Sequence, residues 1–139
     1  MAVELENLQE AWSRVRAHVD QLASERRQYL DFFEQSHEAY LVTDAEGTIV
    51  DANGAATDIV QRRRLFLRGK PFAVLVALDR RADFRSRLKS LLSREPGAPR
   101  TWRTVLEAPD LRIGVTLTAR IIDRAGSVGG ICWLLQGVE

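Results

Sequence analysis

The side chains able to do covalent or metal chemistry are few: two histidines, His18 and His37, and a single cysteine, Cys132. Nucleophilic catalysis needs a base within hydrogen-bond reach of the nucleophile, held in place by a third group. Both histidines fall in the N-terminal third and Cys132 lies near the other end. The spacing therefore suggests no Cys-His or Ser-His-Asp grouping. A lone cysteine can form no internal disulfide and leaves no ligand cluster for zinc. Gly129-Gly130 opens a strand-like run and lacks the pattern of a phosphate loop. Cys132, set in an apolar run, reads as a small core filler and not as a redox switch. Trp102 and Trp133 read as sheet residues packing a core or an interface. The chain is expected to be no enzyme and to hold no metal.

Charge is the second source of chemistry. The net charge of +1 conceals an uneven distribution. Residues 1–59 carry 12 acidic and 4 basic side chains, whereas residues 60–103 carry 3 acidic and 13 basic ones. A segment this basic could bind anions or nucleic acid. No aromatic interleaving or nucleic-acid motif accompanies it, so the expectation is a solvated surface with no specific nucleic-acid partner.

At 139 residues there is room for one compact domain and an appendage. A hydrophobic content of 45% and a charged content of 28% are those of a globular protein. The longest apolar runs are far too short to span a membrane, and no signal-peptide pattern opens the chain. With one cysteine, this points to the cytoplasm and to no membrane partner.

The appendage comes first. Leu5, Leu8, Trp12, Val15, Val19, Leu22, Arg26, Tyr29 and Phe33 are spaced alternately by three and four, as a and d positions of a heptad. This predicts an amphipathic helix over residues 1–33, followed by a domain over 34–139. A helix of that length outruns the domain it serves, and apolar side chains left in water call for a partner helix. A homodimer is expected through Leu5, Leu8, Trp12, Val15, Val19, Leu22 and Tyr29. The alternative is that the helix folds back over the sheet of its own domain. Flanking charges do not fix parallel against antiparallel pairing.

Beyond residue 38 the pattern becomes strands and turns. Ala39 to Thr43 is an apolar strand, Asp44-Ala45-Glu46-Gly47 a turn, and Thr48 to Asp51 the returning strand. Asn53 can cap a helix through Val60. A short helix is expected in Phe72 to Leu78, then a longer one capped by Asp79 and running to about Ser93, with Phe84, Leu88, Leu91 and Leu92 inward. Pro96 to Pro99 ends it. Three β segments follow: Arg100 to Glu107, Leu111 to Ile122 and Val128 to Gln136. The middle one alternates from Leu111 to Ile121 as a half-buried antiparallel strand, and Asp123 to Gly126 turns it into the last. The fold class is α+β: a five-stranded antiparallel sheet with helices on one face, preceded by a long N-terminal helix.

In this order, residues 34–139 resemble the PAS family. The matching stretches are Tyr40-Leu41-Val42-Thr43-Asp44-Ala45-Glu46-Gly47-Thr48-Ile49-Val50, Asn53-Gly54-Ala55-Ala56, Gly69-Lys70-Pro71, and Ile122 through Gly130. The resemblance implies a cup between sheet and helices, with Phe66, Phe72, Leu75, Leu88 and Trp102 as its expected lining. It implies a cytosolic signal-sensing and dimerisation module of a bacterial-type signalling or regulatory protein, relaying the state of a ligand or partner through the N-terminal helix and the sheet. The alternative is a ligand-free interaction scaffold that dimerises or recruits an effector. Which cofactor the cup takes is not implied. The flavin photoreceptor branch needs an Asn-Cys-Arg motif where this chain has Gln61-Arg62-Arg63-Arg64, which argues against a covalent flavin adduct. Haem-binding relatives use a histidine from the helical side of the cup; His18 and His37 lie elsewhere, which argues against haem. A non-covalent flavin, a small apolar ligand or no ligand stays open. The Asp-Ile-Thr ending of many members, which couples to an output helix, is replaced here by Gly137-Val138-Glu139.

Overall fold

A computed structural model describes residues 2–93, 99–124 and 127–138, without the side chains of 2–5, 29, 123, 124, 127 and 128. The chain divides into two compact units, Met1–Gln35 and Ser36–Glu139. The first is a single helix, α1 (Ala2–Gln35), about 50 Å long at 1.5 Å per residue.

In the second unit the elements are β1 (Ala39–Thr43), β2 (Ile49–Ala52), α2 (Gly54–Val60), α3 (Arg64–Leu67), two 3₁₀ turns (Phe72–Leu75 and Leu78–Arg80), α4 (Arg81–Leu92), β3 (Arg100–Ala108), β4 (Leu111–Arg124) and β5 (Ser127–Gly137). The five strands form one antiparallel sheet in the order β2-β1-β5-β4-β3. The α+β class and the strand positions agree with the sequence reading. The turn expected at Pro96–Pro99 and the one at Asp123–Gly126 fall partly outside the described residues.

Alternation decides which face is core. Leu41 pairs with Trp133 and Trp133 with Ala119; Leu135 pairs with Ala39 and Leu117, and Leu117 with Trp102. All of these are buried, whereas Tyr40, Val42, Cys132, Leu134, Thr116 and Thr118 on the opposite face are only half-buried. The inward alternation expected along β4 holds for Val115, Leu117 and Ala119, but Leu111 at its start is exposed.

Two side chains fix the first hairpin and its exit. Asp44 Oδ1 accepts from the Glu46 and Thr48 N–H groups, both at 2.9 Å, and Gly47 supplies a φ of 89° that L side chains disfavour. Asn53 is completely buried. Its Oδ1 accepts from Ala56 N, capping α2, and also from Tyr40 N, both at 3.0 Å, while its Nδ2 donates to Glu38 O at 2.8 Å. One amide thereby satisfies groups on the start of β1 and on α2. At the other end of α2, Gln61 takes a left-handed conformation (φ 56°), and the N–H groups of Gln61 and Arg62 both donate back to Thr57 O.

The segment after α3 is sewn to β2: Gly69 N donates to Ile49 O (2.9 Å), Ile49 N to Lys70 O (2.8 Å) and Phe72 N to Gly47 O (2.8 Å). Farther on, Ala77 N donates to Val105 O of β3 at 2.8 Å.

Asp79 corrects the sequence reading. It lies inside a 3₁₀ turn, so α4 begins after Arg80 with no side-chain cap. Its carboxylate instead accepts from Arg112 Nη2 at 3.0 and 3.2 Å, and that guanidinium holds the carboxyl below its ordinary range. The stretch expected as a short helix up to Leu78 is a 3₁₀ turn ending at Leu75.

Truncating Asn53 removes a helix cap and leaves the Tyr40 N–H and the Glu38 carbonyl without this partner. Asn53→Ala is expected to destabilise the domain by about 2–3 kcal/mol, above the roughly 1 kcal/mol of a cap alone. Urea denaturation followed by tryptophan fluorescence measures this; an unchanged midpoint would show that the amide does not tie the hairpin to α2.

Candidate functional site

The site to be judged is the space between the sheet and the helices across its inner face. Trp133 stands in the middle strand with Leu41 on one side and Ala119 on the other, and the small Ala119 leaves room for the indole. Phe72 comes from the first 3₁₀ turn, Phe84 from the first turn of α4 and Trp102 from β3. The four rings form one cluster. The Phe72 centroid lies 4.9 Å from Trp133 and 5.1 Å from Phe84, where the two rings stack. Phe84 is 5.5 Å from Trp133, and Trp102 meets Trp133 edge-on at 5.8 Å. These are the separations at which aromatic pairs attract beyond their burial.

Polar handles are settled for one indole only. Trp133 Nε1 donates to Thr43 Oγ1 at 3.0 Å, and that hydroxyl donates onward to Asp44 O at 2.9 Å. Trp102 Nε1 is buried without an acceptor, and Arg87 lies over the Trp102 ring with Cζ 5.6 Å from its centroid.

Of the five residues expected to line a cup, Phe72, Leu75 and Trp102 are in the core, and Leu88 packs against it half-buried. Phe66 lies elsewhere: it is 46% exposed on α3, between Arg62 and Lys70. Phe84 and Trp133 complete the cluster. Phe84 was legible as inward-facing and Trp133 as a sheet residue packing a core or an interface, but their mutual contact was not, because it depends on how α4 crosses the sheet. Thr43 as the indole's partner carries no sequence signal.

On the outer face, Tyr40, Pro99, Thr118, Arg120, Cys132 and Leu134 line an open depression of about 400 Å³. The Tyr40 hydroxyl donates to Glu38 Oε2 at 2.7 Å, and that bond to a carboxylate raises the phenol above its ordinary range. Burial raises the Cys132 thiol, only partly offset by Arg120. Among the described residues no three His, Cys, Asp or Glu side chains group as metal ligands, and no helix is long and apolar enough to cross a membrane.

On α1, Leu8, Trp12, Val15, Val19 and Leu22 are all exposed, with Trp12 at 72%. Leu8, Ala11, Trp12 and Val15 form a continuous apolar surface. The side chains of Leu5 and Tyr29 lie outside the described residues.

A single antiparallel sheet in the order 2-1-5-4-3, with every helix of the second unit packed on one face around an aromatic centre, defines an α+β cup domain. The chain belongs to the PAS fold family, whose model matches residues 33–138. Among solved structures it is similar to the PAS domain of an HTR-like protein from Haloarcula marismortui, with a TM-score of 0.72 at 15% identity, covering 88% of this chain and 99% of that one. It is also similar to a domain of a sensory box sensor histidine kinase/response regulator from Geobacter sulfurreducens, with a TM-score of 0.67 at 20% identity, covering 83% and 96%. A PAS domain of a LuxR-family transcriptional regulator from Burkholderia thailandensis, in complex with ethanol, matches with a TM-score of 0.66 at 17% identity, covering 79% and 96%. At these identities the likeness is one of fold. No curated protein matches the sequence.

Phe84→Ala should cost about 3–5 kcal/mol in urea denaturation, because it removes the ring that Phe72 stacks on and leaves a cavity. The variant should take up benzene or indole, detected as a rise in melting temperature, whereas the parent should not. Cys132 should react with a disulfide reagent at pH 8 more slowly in the native protein than in urea, since burial raises the thiol and leaves less thiolate. Equal rates would place the thiol in free contact with solvent.

Proposed function

We propose that this chain is a dimerising input module of a cytosolic signalling or regulatory protein, whose input is the state of a protein partner and not a small molecule held in the cup. The observation that carries this reading is the cluster of Phe72, Phe84, Trp102 and Trp133, whose rings lie 4.9–6.5 Å apart where a ligand would otherwise sit. Membership in the PAS family and the sensor kinases and regulators among its structural neighbours support the sensory setting.

The dimer is assigned to α1. Its exposed stripe of Leu8, Trp12, Val15, Val19 and Leu22 has the three-and-four spacing of a coiled-coil seam. Pairing two such stripes removes apolar surface from water at about 25 cal/mol per Å² and couples the two domains through one rod. A change in how a partner engages one domain then reaches the other as a shift of helix register. An effector joined to the chain would read that shift.

A second reading, a small ligand sensed in the cup, is favoured by one atom: Trp102 Nε1, buried without an acceptor. Native mass spectrometry and the absorbance spectrum of freshly purified protein separate the two. The proposed function expects the bare mass and no band above that of tryptophan; a copurifying molecule supports the second reading.

The dimer is tested by sedimentation. The full chain is expected to sediment as a dimer, and Trp12→Glu with Val15→Glu as a monomer with its domain still folded. A double variant that keeps the dimer would move the interface away from α1.

A further inference from the structure

A second surface, apart from α1 and the cup, has the composition of a docking site. Between residues 61 and 70 the chain carries Arg62, Arg63, Arg64, Arg68 and Lys70 and no acid. Arg64 and Arg68 are committed: both pair with Asp51 Oδ1, at 3.1 and 3.5 Å, and Arg64 Nε also donates to Ala52 O. Arg62, Arg63 and Lys70 have no carboxylate within ion-pair distance among the described residues, Asp58 one turn earlier included.

The geometry around Phe66 sharpens this. Arg62 Cζ lies 5.2 Å and Lys70 Nζ 5.3 Å from the ring centroid, so one phenyl ring collects two cations. Arg62 Nε is buried and makes no hydrogen bond, a donor left without an acceptor. The neighbouring Leu65 is 83% exposed and Phe66 is 46% exposed, although both are apolar. Two like charges held over one ring, an unanswered guanidinium N–H and two apolar side chains in water would all be relieved by one occupant. It would bring a carboxylate between Arg62 and Lys70 and an apolar side chain against Leu65.

We propose that the surface formed by Arg62, Leu65, Phe66 and Lys70 docks an acidic peptide segment of a partner protein, in which carboxylates flank an aliphatic side chain. Charge complementarity selects the acidic partner, and the small apolar footprint selects a peptide. A membrane-binding cluster carries about four to eight free cations beside a broad apolar face. Within residues 61–70, only Arg62, Arg63 and Lys70 are without an ion pair among the described residues. Single-stranded nucleic acid would stack its bases on Phe66, where the two cations already lie. The site is independent of the dimer proposed for α1.

The test uses the full chain and a fluorescein-labelled short peptide of glutamates interrupted by two leucines, read by fluorescence anisotropy at 50 mM salt. Binding is expected with a dissociation constant below about 100 µM. Phe66→Ala should weaken it at least tenfold, and so should Arg62→Gln combined with Lys70→Gln. Arg80→Gln combined with Arg85→Gln, which removes the same charge around α4, should leave it within twofold. Circular dichroism confirms that each variant is folded. The proposal is overturned if the parent protein does not bind at 1 mM, or if the α4 pair weakens binding as much as the Arg62 and Lys70 pair. Tighter binding of phosphatidylserine vesicles or of single-stranded DNA than of the peptide would overturn it as well.

Discussion

Trp133 holds the layers of the domain together. It is fully buried in the middle strand, and Phe72, Phe84 and Trp102, each from a different element, have their ring centres within 6 Å of it. The indole is too large to be accommodated by adjusting one neighbour: Ala119 gives it width, and Thr43 takes its N–H. Close-packed interiors tolerate little change in volume, so the paths of the 3₁₀ turn and of α4 are set by this one side chain. The filled cup is therefore a consequence of what holds the sheet and helices together. An occupant there would have to displace the rings on which the fold relies.

The sequence revealed much of this, and the reasons for its success and failure differ by element. Strand alternation is local, so the positions of β1, β4 and β5 were readable, and with them the inward face of β4 at Val115, Leu117 and Ala119. Asn53 was readable as a cap because the residue type and the following helix suffice. Its grip on Tyr40 N and Glu38 O was not, since those groups lie in β1 and just before it, 13 and 15 residues away. Asp79 misled for a related reason. It has the right chemistry to start a helix, but Arg112, 33 residues later, competes for the same carboxylate. Phe66 misled because hydrophobicity alone assigned it inward. Only the turn of α3 brings it beside Arg62 and Lys70 and out into solvent.

Charge also sorts itself in three dimensions in a way the sequence totals hide. Asp51 on β2 gathers Arg64 and Arg68, and Asp79 takes Arg112. Asp83 takes Arg87 one turn along α4. Exposed pairs of this kind contribute little stability each, with a median of about 0–1 kcal/mol. Their effect is mainly to decide which cations are already answered. Within the basic segment, Arg64, Arg68 and Arg87 are answered by carboxylates and Arg81 by the carbonyls of Val76 and Val74, so the segment's charge is answered only in part.

The hydrogen bonds that sew residues 69–72 to β2 have a consequence for how this sheet meets its surroundings. β2 and β3 are the outermost strands, and an open outer strand is a template on which another chain can add. Gly69, Lys70 and Phe72 occupy the backbone groups of Ile49 and Gly47, and Ala77 occupies Val105 on the opposite side. Arg100 and Arg103 place positive charge on the uncovered part of β3. Both margins are thus occupied in part, which leaves less open backbone on which another chain could add a strand.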